Sequence, residues 1–390
     1  MQKTRKLFYE DSHLAKFDAK VLSCEQIEGQ DRYRIILDQT AFFPEGGGQA
    51  SDTGTLNDIR VFDVWETDSI IYHICEKELP VGTKVHGTLD YEKRFDKMQN
   101  HTGEHIVSGL VHKLFGYENV GFHLGTDVTM DFSGELSKED LLKIERLANE
   151  AVVKNIAVKT EFPDKEALAS MTYRSKIELE GDVRIVTIPE YDVCACCAPH
   201  VKLTGEIGMI KLIASQKYKG GTRVTMLCGF RALADYNQKA EQVSAVSVLL
   251  SAKQEEIADA AAHMKEGFSK AKGQISVLRQ QLFEYKIKQI PDNAPYIAMF
   301  ENGLSGNEIR ALVNLCMKKC EGVCIVLTGD DETGYQFVAG SHSVDMREFG
   351  KEFQEAFQGR GGGKPEMIQG SVQGMQESIA EWLLHKLEKK

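Results

Sequence analysis

Two short stretches of the sequence contain side chains that bind metal ions, and each holds them four residues apart. The first is residues 101–105 (HTGEH) and the second is residues 196–200 (CCAPH). Residues four apart on a helix share a face, so His101 and His105 can reach one ion, and Cys196 and His200 can do the same from a turn. Imidazole nitrogen and thiolate sulfur suit zinc, which takes four such ligands tetrahedrally. The sequence therefore predicts a zinc site with four ligands: His101, His105, Cys196 and His200.

The glutamate of the first stretch is predicted to have no catalytic role. A metalloprotease helix reads His-Glu-x-x-His, with the general base directly after the first histidine. Here Thr102 follows His101, and a shift of one residue turns a side chain by about 100° around a helix. Glu104 is therefore expected to be a solvated carboxylate.

Cysteine usage supports metal binding rather than disulfide formation. The chain has nine cysteines, and a crowded cysteine cluster in a protein expected to be cytoplasmic points to metal or catalysis. Cys194 and Cys197 remain alternative ligands. The more distant cysteines are predicted to be small buried apolar residues, as for Cys75, Cys228, Cys316 and Cys324.

Composition excludes several classes of protein. The 390 residues are 42% hydrophobic and 27% charged, as in a globular protein of two or three domains. The sequence has no run of about 18 apolar residues and no secretory signal, so a cytoplasmic protein without a membrane span is expected.

The net charge of the chain favours local rather than broad contacts with nucleic acid. A formal net charge of -11 argues against broad nonspecific binding. Two basic clusters lie beside glycines, and for each the alternative is solvated loop charge. The first cluster is Lys217, Lys219 and Arg223, and the second is Arg360 and Lys364.

Periodicity predicts an α+β chain in four parts. Residues 1–90 contain short β-branched and aromatic runs separated by turn residues, as in a small β-barrel. Residues 91–232 predict an α+β domain, with both histidines on a helix over 94–116 and the cysteine stretch in a turn. Ser137, with Asp140 three residues later, predicts the start of a second helix. A single strand is predicted over 121–132.

The last two parts are a helical segment and a small α/β domain. Residues 233–290 show apolar residues at alternating three and four spacing, typical of a coiled coil with a stutter. The alternative is a hairpin that turns at Gly267 or Gly273. Residues 291–390 predict a small α/β domain with helices over 308–320, 345–357 and 375–387.

Further motifs now carry a resemblance. Residues 40–49 (TAFFPEGGGQ) and 52–54 (DTG) precede the His-x-x-x-His pair, and residues 183–186 (VRIV) precede Cys-x-x-x-His-Val. Together they resemble the editing domain of alanyl-tRNA synthetase, and still more the free-standing alanyl-tRNA editing proteins of the AlaX type. Residues 359–370 are similar to the glycine-rich signature of the DHH-associated C-terminal domain.

The resemblance implies a reaction and residues for it. The expected activity is zinc-dependent hydrolysis of the ester in mischarged Ser-tRNA(Ala), with Gly-tRNA(Ala) left open. Thr40 is the implied partner of the serine hydroxyl, with a plain strand residue as the alternative, and Gln49 lies beside the substrate. Both basic clusters and the C-terminal domain are expected to contact tRNA, and a homodimer is expected.

Two alternatives stay open. Four protein ligands fill the zinc tetrahedron. Either one of them does not bind the ion and a catalytic water takes its position, or zinc shapes the site and holds the substrate. A zinc-stabilised tRNA-binding module without turnover is the competing function, although such a binder would not need Thr40 with Gln49.

Overall fold

The chain forms two compact units, Met1–Ala245 and Val246–Lys390. The computed structural model describes residues 2–125, 127–175 and 183–388. Within these ranges, no helix combines the length and the apolar character that a membrane crossing requires.

The first unit begins with a closed barrel of six strands, which confirms the β-barrel predicted for residues 1–90. Its N-terminal elements are β1 (Arg5–Lys6), α1 (Leu7–Glu10), β2 (Lys16–Gln26), β3 (Tyr33–Leu37), β4 (Gln39–Thr40), β5 (Gly54–Leu56), β6 (Ile59–Thr67), β7 (Ile70–Cys75) and β8 (Lys84–Leu89). The barrel order is β2-β3-β7-β6-β5-β8, and β1 pairs with β4 outside it. Alternate residues of β2 and β7 point inward, because successive side chains of a strand face opposite sides.

An α+β region follows the barrel. Its elements are α2 (Tyr91–Phe115), β9 (Asn119–Leu124), β10 (Val128–Phe132), α3 (Lys138–Lys154), β11 (Lys159–Glu161), α4 (Lys165–Ser170), β12 (Ile185–Ile188), β13 (Asp192–Ala195), β14 (Ile210–Tyr218), β15 (Gly221–Cys228) and α5 (Gly229–Leu250). The sheet order β14-β15-β10-β9 forms one layer, and β11-β12-β13 forms a second sheet. Helix α3 begins with the predicted capping box of Ser137 and Asp140. The single strand predicted over 121–132 is wrong, because β9 and β10 form an antiparallel pair.

Helix α2 lies in the core of this region. Every residue from Met98 to Val111 is buried, so the helix is covered on all sides along this stretch. The helix ends at Gly116, which adopts φ 71°, a left-handed conformation that glycine takes without steric cost. A helix buried in this way must provide a partner for each polar side chain that it carries.

The helical segment is interrupted before its long helix, α6 (Ile257–Lys288). Gly267 and Gly273 lie inside α6, so the alternative of a hairpin that turns at these glycines is wrong. The interruption falls at residues 251–256 instead, where Ser251 has φ 50° and leaves helical geometry. An apolar stripe of α6 is exposed: Met264, Phe268, Ile275, Leu278 and Leu282. Pairing of this stripe as a coiled coil stays a prediction.

The second unit contains one five-stranded sheet. Its remaining elements are β16 (Ala294–Phe300), α7 (Gly306–Cys316), β17 (Cys320–Asp330), β18 (Gly334–Gly340), α8 (Met346–Ala356), β19 (Arg360–Lys364), β20 (Met367–Val372) and α9 (Gln376–Leu387). The sheet order is β16-β17-β18-β20-β19. The helix predicted over 308–320 ends at Cys316, since Cys320 already begins β17.

The glycine-rich segment is part of the sheet. The alternative that Arg360 and Lys364 are charges of a solvated loop is therefore wrong, because both lie on the exposed strand β19. Strand β19 pairs antiparallel with β20 and forms the edge of the sheet. A Cβ at Gly361 would lie 2.3 Å from the carbonyl oxygen of Gln369, and one at Gly363 would lie 2.3 Å from that of Met367. The glycines therefore allow the two strands to approach closely.

Candidate metal centre and substrate cavity

The four predicted metal ligands converge in the first unit. The ligand atoms of His101, His105, Cys196 and His200 all lie within 4.8 Å of one another. The Cys196 sulfur is 3.5 Å from His101 Nε2 and 3.4 Å from His200 Nε2. A tetrahedral zinc ion bound at ordinary N and S distances separates those atoms by about 3.5 Å. The spacing and chemistry of this donor set therefore fit zinc.

Each histidine of the cluster is oriented by its second ring nitrogen. The three Nδ1 contacts are His101 to Gln49 Oε1 at 3.0 Å, His105 to Asp192 Oδ2 at 2.8 Å, and His200 to Thr102 Oγ1 at 3.1 Å. Oxygen partners on Nδ1 fix the ring orientation and leave Nε2 free for a metal ion, as at most protein metal sites. The arrangement is typical of a prepared metal site rather than of three core histidines.

Asp192 connects the centre to a segment far from it in sequence. Arg174 donates from Nε and Nη2 to the two carboxylate oxygens of Asp192, at 2.8 and 2.9 Å. Burial opposes ionisation, but hydrogen bonds from His105 and Arg174 lower the pKa of Asp192 below its usual value. A Cβ at Gly109 would lie 2.2 Å from the Tyr191 carbonyl oxygen. Glycine therefore lets α2 approach the β12–β13 turn closely enough for His105 to meet Asp192.

The glycine run before Gln49 forms a tight turn. Gly46 and Gln49 exchange two backbone hydrogen bonds of 3.0 Å, and the two central residues, Gly47 and Gly48, have φ 61° and 78°. Two successive positive φ angles characterise a type I′ turn, which favours glycine. The turn places the Gln49 side chain against His101. Because Gln49 Oε1 accepts from this histidine, its buried Nε2 donor is left without a partner among the described residues.

The three clustered cysteines have different electrostatic environments. Burial opposes the Cys196 thiolate, but the surrounding His101 and His200 lower its pKa well below the usual value. Burial raises the pKa of both Cys194 and Cys197 to about 11. Cys196 is therefore the favoured thiolate ligand. Cys194 also belongs to a second group of possible ligand atoms with His105 and Asp192.

The predicted solvent exposure of Glu104 is wrong. Glu104 is 1% exposed, and its Oε1 accepts hydrogen bonds from Ser108 at 2.7 Å and Asn119 at 2.6 Å. Its other oxygen lies 3.9 Å from His105 Nε2. Glu104 lies two residues beyond the protease position, and its side chain is in the core because α2 is covered on all sides along this stretch.

A cavity of about 820 Å³ opens at the metal ligands. Its inner end is lined by His101, His105, Cys196 and the two glycines of the tight turn. Thr40 is not among the lining residues. It is 0% exposed, and its hydroxyl lies 2.9 Å from His73 Nε2 and accepts from Phe42 N at 3.1 Å. Its predicted role toward serine remains a prediction.

The predicted basic clusters differ in how far their charge is neutralised. Arg223 donates to both oxygens of Asp131, at 2.6 and 2.7 Å, and lies over the Tyr218 ring. Lys217 forms an exposed ion pair with Glu135 at 3.1 Å, and Lys219 lies over Tyr218. In the second unit, Arg360 and Lys364 lie on the exposed edge strand β19.

Sequence reasoning missed the residues that orient the ligands. Asp192 stands four residues before Cys196, so an acidic residue close to the cysteine cluster was a usable signal. Thr102 lies between the two histidines and also could have been noted. No pattern pointed to Arg174. The cysteines predicted to be buried are all buried: Cys75, Cys228, Cys316 and Cys324.

Comparison with known families identifies three regions of the chain. Residues 1–93 match the family described as tRNA synthetases class II (A). Residues 183–225 match the threonyl and alanyl tRNA synthetase second additional domain, and residues 293–389 match the DHHA1 domain. The C-Ala domain of Aquifex aeolicus alanyl-tRNA synthetase aligns with 24% of the chain at 20% identity, with a TM-score of 0.21, too low to define a shared fold.

Relatives match along almost the whole chain. Alanyl-tRNA editing protein AlaX-L of Pyrococcus horikoshii is 29% identical, with 98% of each chain covered. The alanine–tRNA ligase of Pyrococcus furiosus is 30% identical over 96% of this chain, which spans 42% of that ligase. The corresponding ligase of Halobacterium salinarum is 30% identical over 87% of this chain and 39% of its own. The matched domains, their order and the end-to-end match to AlaX-L show that the chain resembles the alanyl-tRNA editing proteins.

Proposed function

We propose that this chain is a zinc-dependent hydrolase that removes serine from mischarged Ser-tRNA(Ala) in trans. Water adds to the carbonyl carbon of the aminoacyl ester, the bond from that carbon to the ribose oxygen breaks, and free serine and uncharged tRNA leave. Gly-tRNA(Ala) is a second candidate substrate. The relative named as an alanyl-tRNA editing protein, matched over 98% of its length, supports this reaction class.

The convergence of four ligand atoms at the end of a cavity is the observation that carries the proposal. Bound there, zinc would supply a positive charge beside the ester. Three imidazoles and one thiolate fill a tetrahedron, so we assign zinc chiefly a positional role. The protein fixes this arrangement through Gln49, Thr102 and Asp192, which hold the imidazole rings.

Gln49 is our candidate for orienting the ester, although it is 1% exposed and only its neighbours Gly47 and Gly48 and its partner His101 line the cavity. Its Oε1 contacts His101 Nδ1 at 3.0 Å, while its Nε2 has no partner in the part of the chain that the structure describes. A buried donor without a partner is costly, and a substrate oxygen in the cavity would satisfy it. We assign Gln49 the role of orienting the ester in this way.

Selectivity against alanine requires a partner for the serine hydroxyl. A pocket built for alanine cannot strongly reject serine, whereas a site that hydrogen-bonds the hydroxyl can prefer it. Thr40 remains our candidate. Its hydroxyl donates to His73, because His73 Nδ1 lies 3.2 Å from the Ile35 carbonyl and carries the ring proton. The Thr40 oxygen retains one lone pair for a substrate hydroxyl.

The basic clusters and helix α6 are our candidate surfaces for tRNA and for a second copy of the chain. We assign tRNA contacts to Lys217, Lys219, Arg223, Arg360 and Lys364. Among these, Arg360 and Lys364 lie on an exposed strand, whereas Arg223 already forms two charged hydrogen bonds to Asp131. The exposed apolar stripe of α6 is the candidate surface for a homodimer.

The direct test is to incubate the purified chain with Ser-tRNA(Ala) and Ala-tRNA(Ala), with and without a zinc chelator. We expect rapid release of serine, with alanine spared and the reaction lost on chelation. Bound tRNA without release of either amino acid would instead support a zinc-stabilised binding module. Hydrolysis that continues at full rate with zinc removed would overturn the zinc-centred proposal.

A further inference from the structure

The cavity extends well beyond the metal ligands. Besides the metal ligands, its lining includes Lys6, Tyr9, Phe162 and Arg184, all in the first unit, and we call the part lined by these four residues the outer part. The volume of about 820 Å³ falls in the range of roughly 300–1,000 Å³ typical of sites for drug-sized ligands. A seryl group at the metal ligands would leave most of this space unfilled. The outer part can therefore hold a second portion of the same substrate.

Two aromatic rings form the mouth of this outer part. The ring centroids of Tyr9 and Phe162 lie 5.3 Å apart at an interplanar angle of 67°. Phe162 is 52% exposed, although a large apolar side chain gains by burial. Exposed aromatic faces in RNA-binding proteins stack unpaired bases. An unpaired base is thus a suitable partner for Phe162.

A buried cation lies behind the aromatic pair. Arg184 is 6% exposed, and its guanidinium carbon is 5.1 Å from the centre of the Tyr9 ring. Its Nη1 donates to the carbonyl oxygens of Cys196 and Ala198, both at 2.9 Å. No carboxylate among the described residues forms an ion pair with Arg184.

Among the described residues, Arg184 has the Cys196 sulfur as a nearby negative group but no carboxylate partner. Buried charges are normally paired with an opposite charge. Lys6 is less available, because it forms a 2.6 Å ion pair with Glu66. A planar guanidinium favours phosphate as a bidentate partner. Its bond to the Cys196 carbonyl also places the cation next to a metal ligand.

We propose that Tyr9, Phe162 and Arg184 form the subsite for the terminal nucleotide of the substrate. The terminal adenine stacks against the two aromatic rings, and its 5′-phosphate faces Arg184. The aminoacyl ester then extends from the ribose toward the metal ligands. This inference rests on the proposed function, because it takes the substrate to be an aminoacyl-tRNA, in which the amino acid is esterified to the terminal ribose.

Titration calorimetry of adenosine 5′-monophosphate with the zinc-loaded full chain tests whether the base stacks on the aromatic rings. Loss of a base–aromatic stack should weaken binding roughly tenfold or more in Phe162→Ala. Phe162→Tyr keeps a ring and should bind like the wild type. Phe62→Ala is the matched control, since Phe62 is also an exposed aromatic, at 39%, but lies outside the cavity wall.

The phosphate half is tested by comparing adenosine 5′-monophosphate with adenosine. The wild type should bind the monophosphate more tightly, and this ratio should fall toward one in Arg184→Gln. Unchanged adenosine binding by that variant would show that the cysteine loop remains in place. If adenosine binding is also lost, Arg184→Lys provides a second variant that keeps the charge and should retain part of the preference.

Two results would overturn the subsite. One is no detectable binding of the monophosphate to the wild type at millimolar concentration. The other is equal affinity of the wild type and Phe162→Ala. Hydrolysis of Ser-tRNA(Ala) is measured separately, so a chain that binds the nucleotide through Phe162 yet releases no serine would retain the subsite and lose the proposed function.

Discussion

The metal-ligand cluster of the first unit and the basic edge strand β19 of the second unit are held in opposite ways. The three histidines of the cluster are each 2% exposed, and each has an oxygen partner on Nδ1. Every residue of β19 is exposed. Buried groups with fixed partners are positioned before a ligand arrives, whereas exposed charges act mainly by attraction through water. Substitutions should therefore have large, specific effects in the cluster and small, salt-dependent effects on β19.

Removal of a metal ligand should have the largest effect. We expect Cys196→Ser to lower the rate of serine release more than about 100-fold, since even loss of a residue that supports a ligand typically costs 10- to 100-fold. Metal content, measured on the same preparation, should fall with the rate. Cys24→Ser is the matched control, because Cys24 is a partly buried barrel cysteine outside the cluster. A Cys196→Ser variant with normal activity and zinc content would remove Cys196 from the ligand set.

His73 provides a buried histidine outside the cluster for comparison. Burial lowers the pKa of His73 to about 4. The hydrogen bond to the Ile35 carbonyl raises this pKa but offsets only part of the effect of burial. The folded state therefore resists protonation, whereas the unfolded state binds a proton below about pH 6.5. Stability should be full above that pH and fall as the pH drops toward 4, by about 3 kcal/mol at most from this group.

Urea unfolding of the wild type and of His73→Gln between pH 4 and 7 measures this contribution. The variant should show a smaller loss of stability across the same interval, whatever its stability at pH 7. Parallel curves for the two proteins would show that His73 does not titrate in this way.

Loss of the Asp192 carboxylate should have an intermediate effect. Asp192→Asn removes the charge that faces both His105 and Arg174, so we expect roughly 10- to 100-fold weaker zinc binding or lower activity. Competition with a chelator of known affinity measures the zinc affinity of the variant directly. Asp164→Asn, at the exposed N-terminus of α4, is the control substitution. Unchanged zinc affinity in Asp192→Asn would show that Asp192 does not orient His105.

A smaller change is expected at Thr40. Thr40→Val should reduce the preference for the seryl over the alanyl ester by roughly two- to tenfold, the range of one hydrogen bond. The ratio of the two hydrolysis rates is the measurement, with Thr55→Val of barrel strand β5 as a control. Because the substitution also removes the partner of His73, stability is measured in parallel. An unchanged ratio would exclude Thr40 from selectivity.

The smallest effects are expected on β19. Arg360→Gln and Lys364→Gln should each weaken tRNA binding and reduce the slope of affinity against salt concentration by about one unit or less. Serine release at saturating tRNA should stay unchanged. Lys351→Gln, on the exposed surface of α8, is the control. Slopes equal to that of the wild type would show that β19 makes no phosphate contacts.

Parts of the fold with strong local signals could be predicted from the sequence. Short apolar runs with turn residues gave the barrel, and Ser137 with Asp140 gave the start of α3. Errors arose where two interpretations share a local pattern. Residues 121–132 contain β-branched and aromatic residues on both sides of the turn near Gly125, so one long strand and a hairpin looked alike. Gly267 and Gly273 weaken a helix by only about 1 kcal/mol each, too little to end α6.

For this protein, residue type and spacing alone predicted the four side chains that the structure brings together as possible metal ligands. His101 and His105 share a helix face, and Cys196 and His200 complete the donors that zinc prefers. Only the tertiary structure decided which groups orient these ligands, since Gln49, Asp192 and Arg174 come from separate segments that fold together. It also decided that Glu104 is buried, because the neighbours of α2 cover the face that an isolated helix would expose to water.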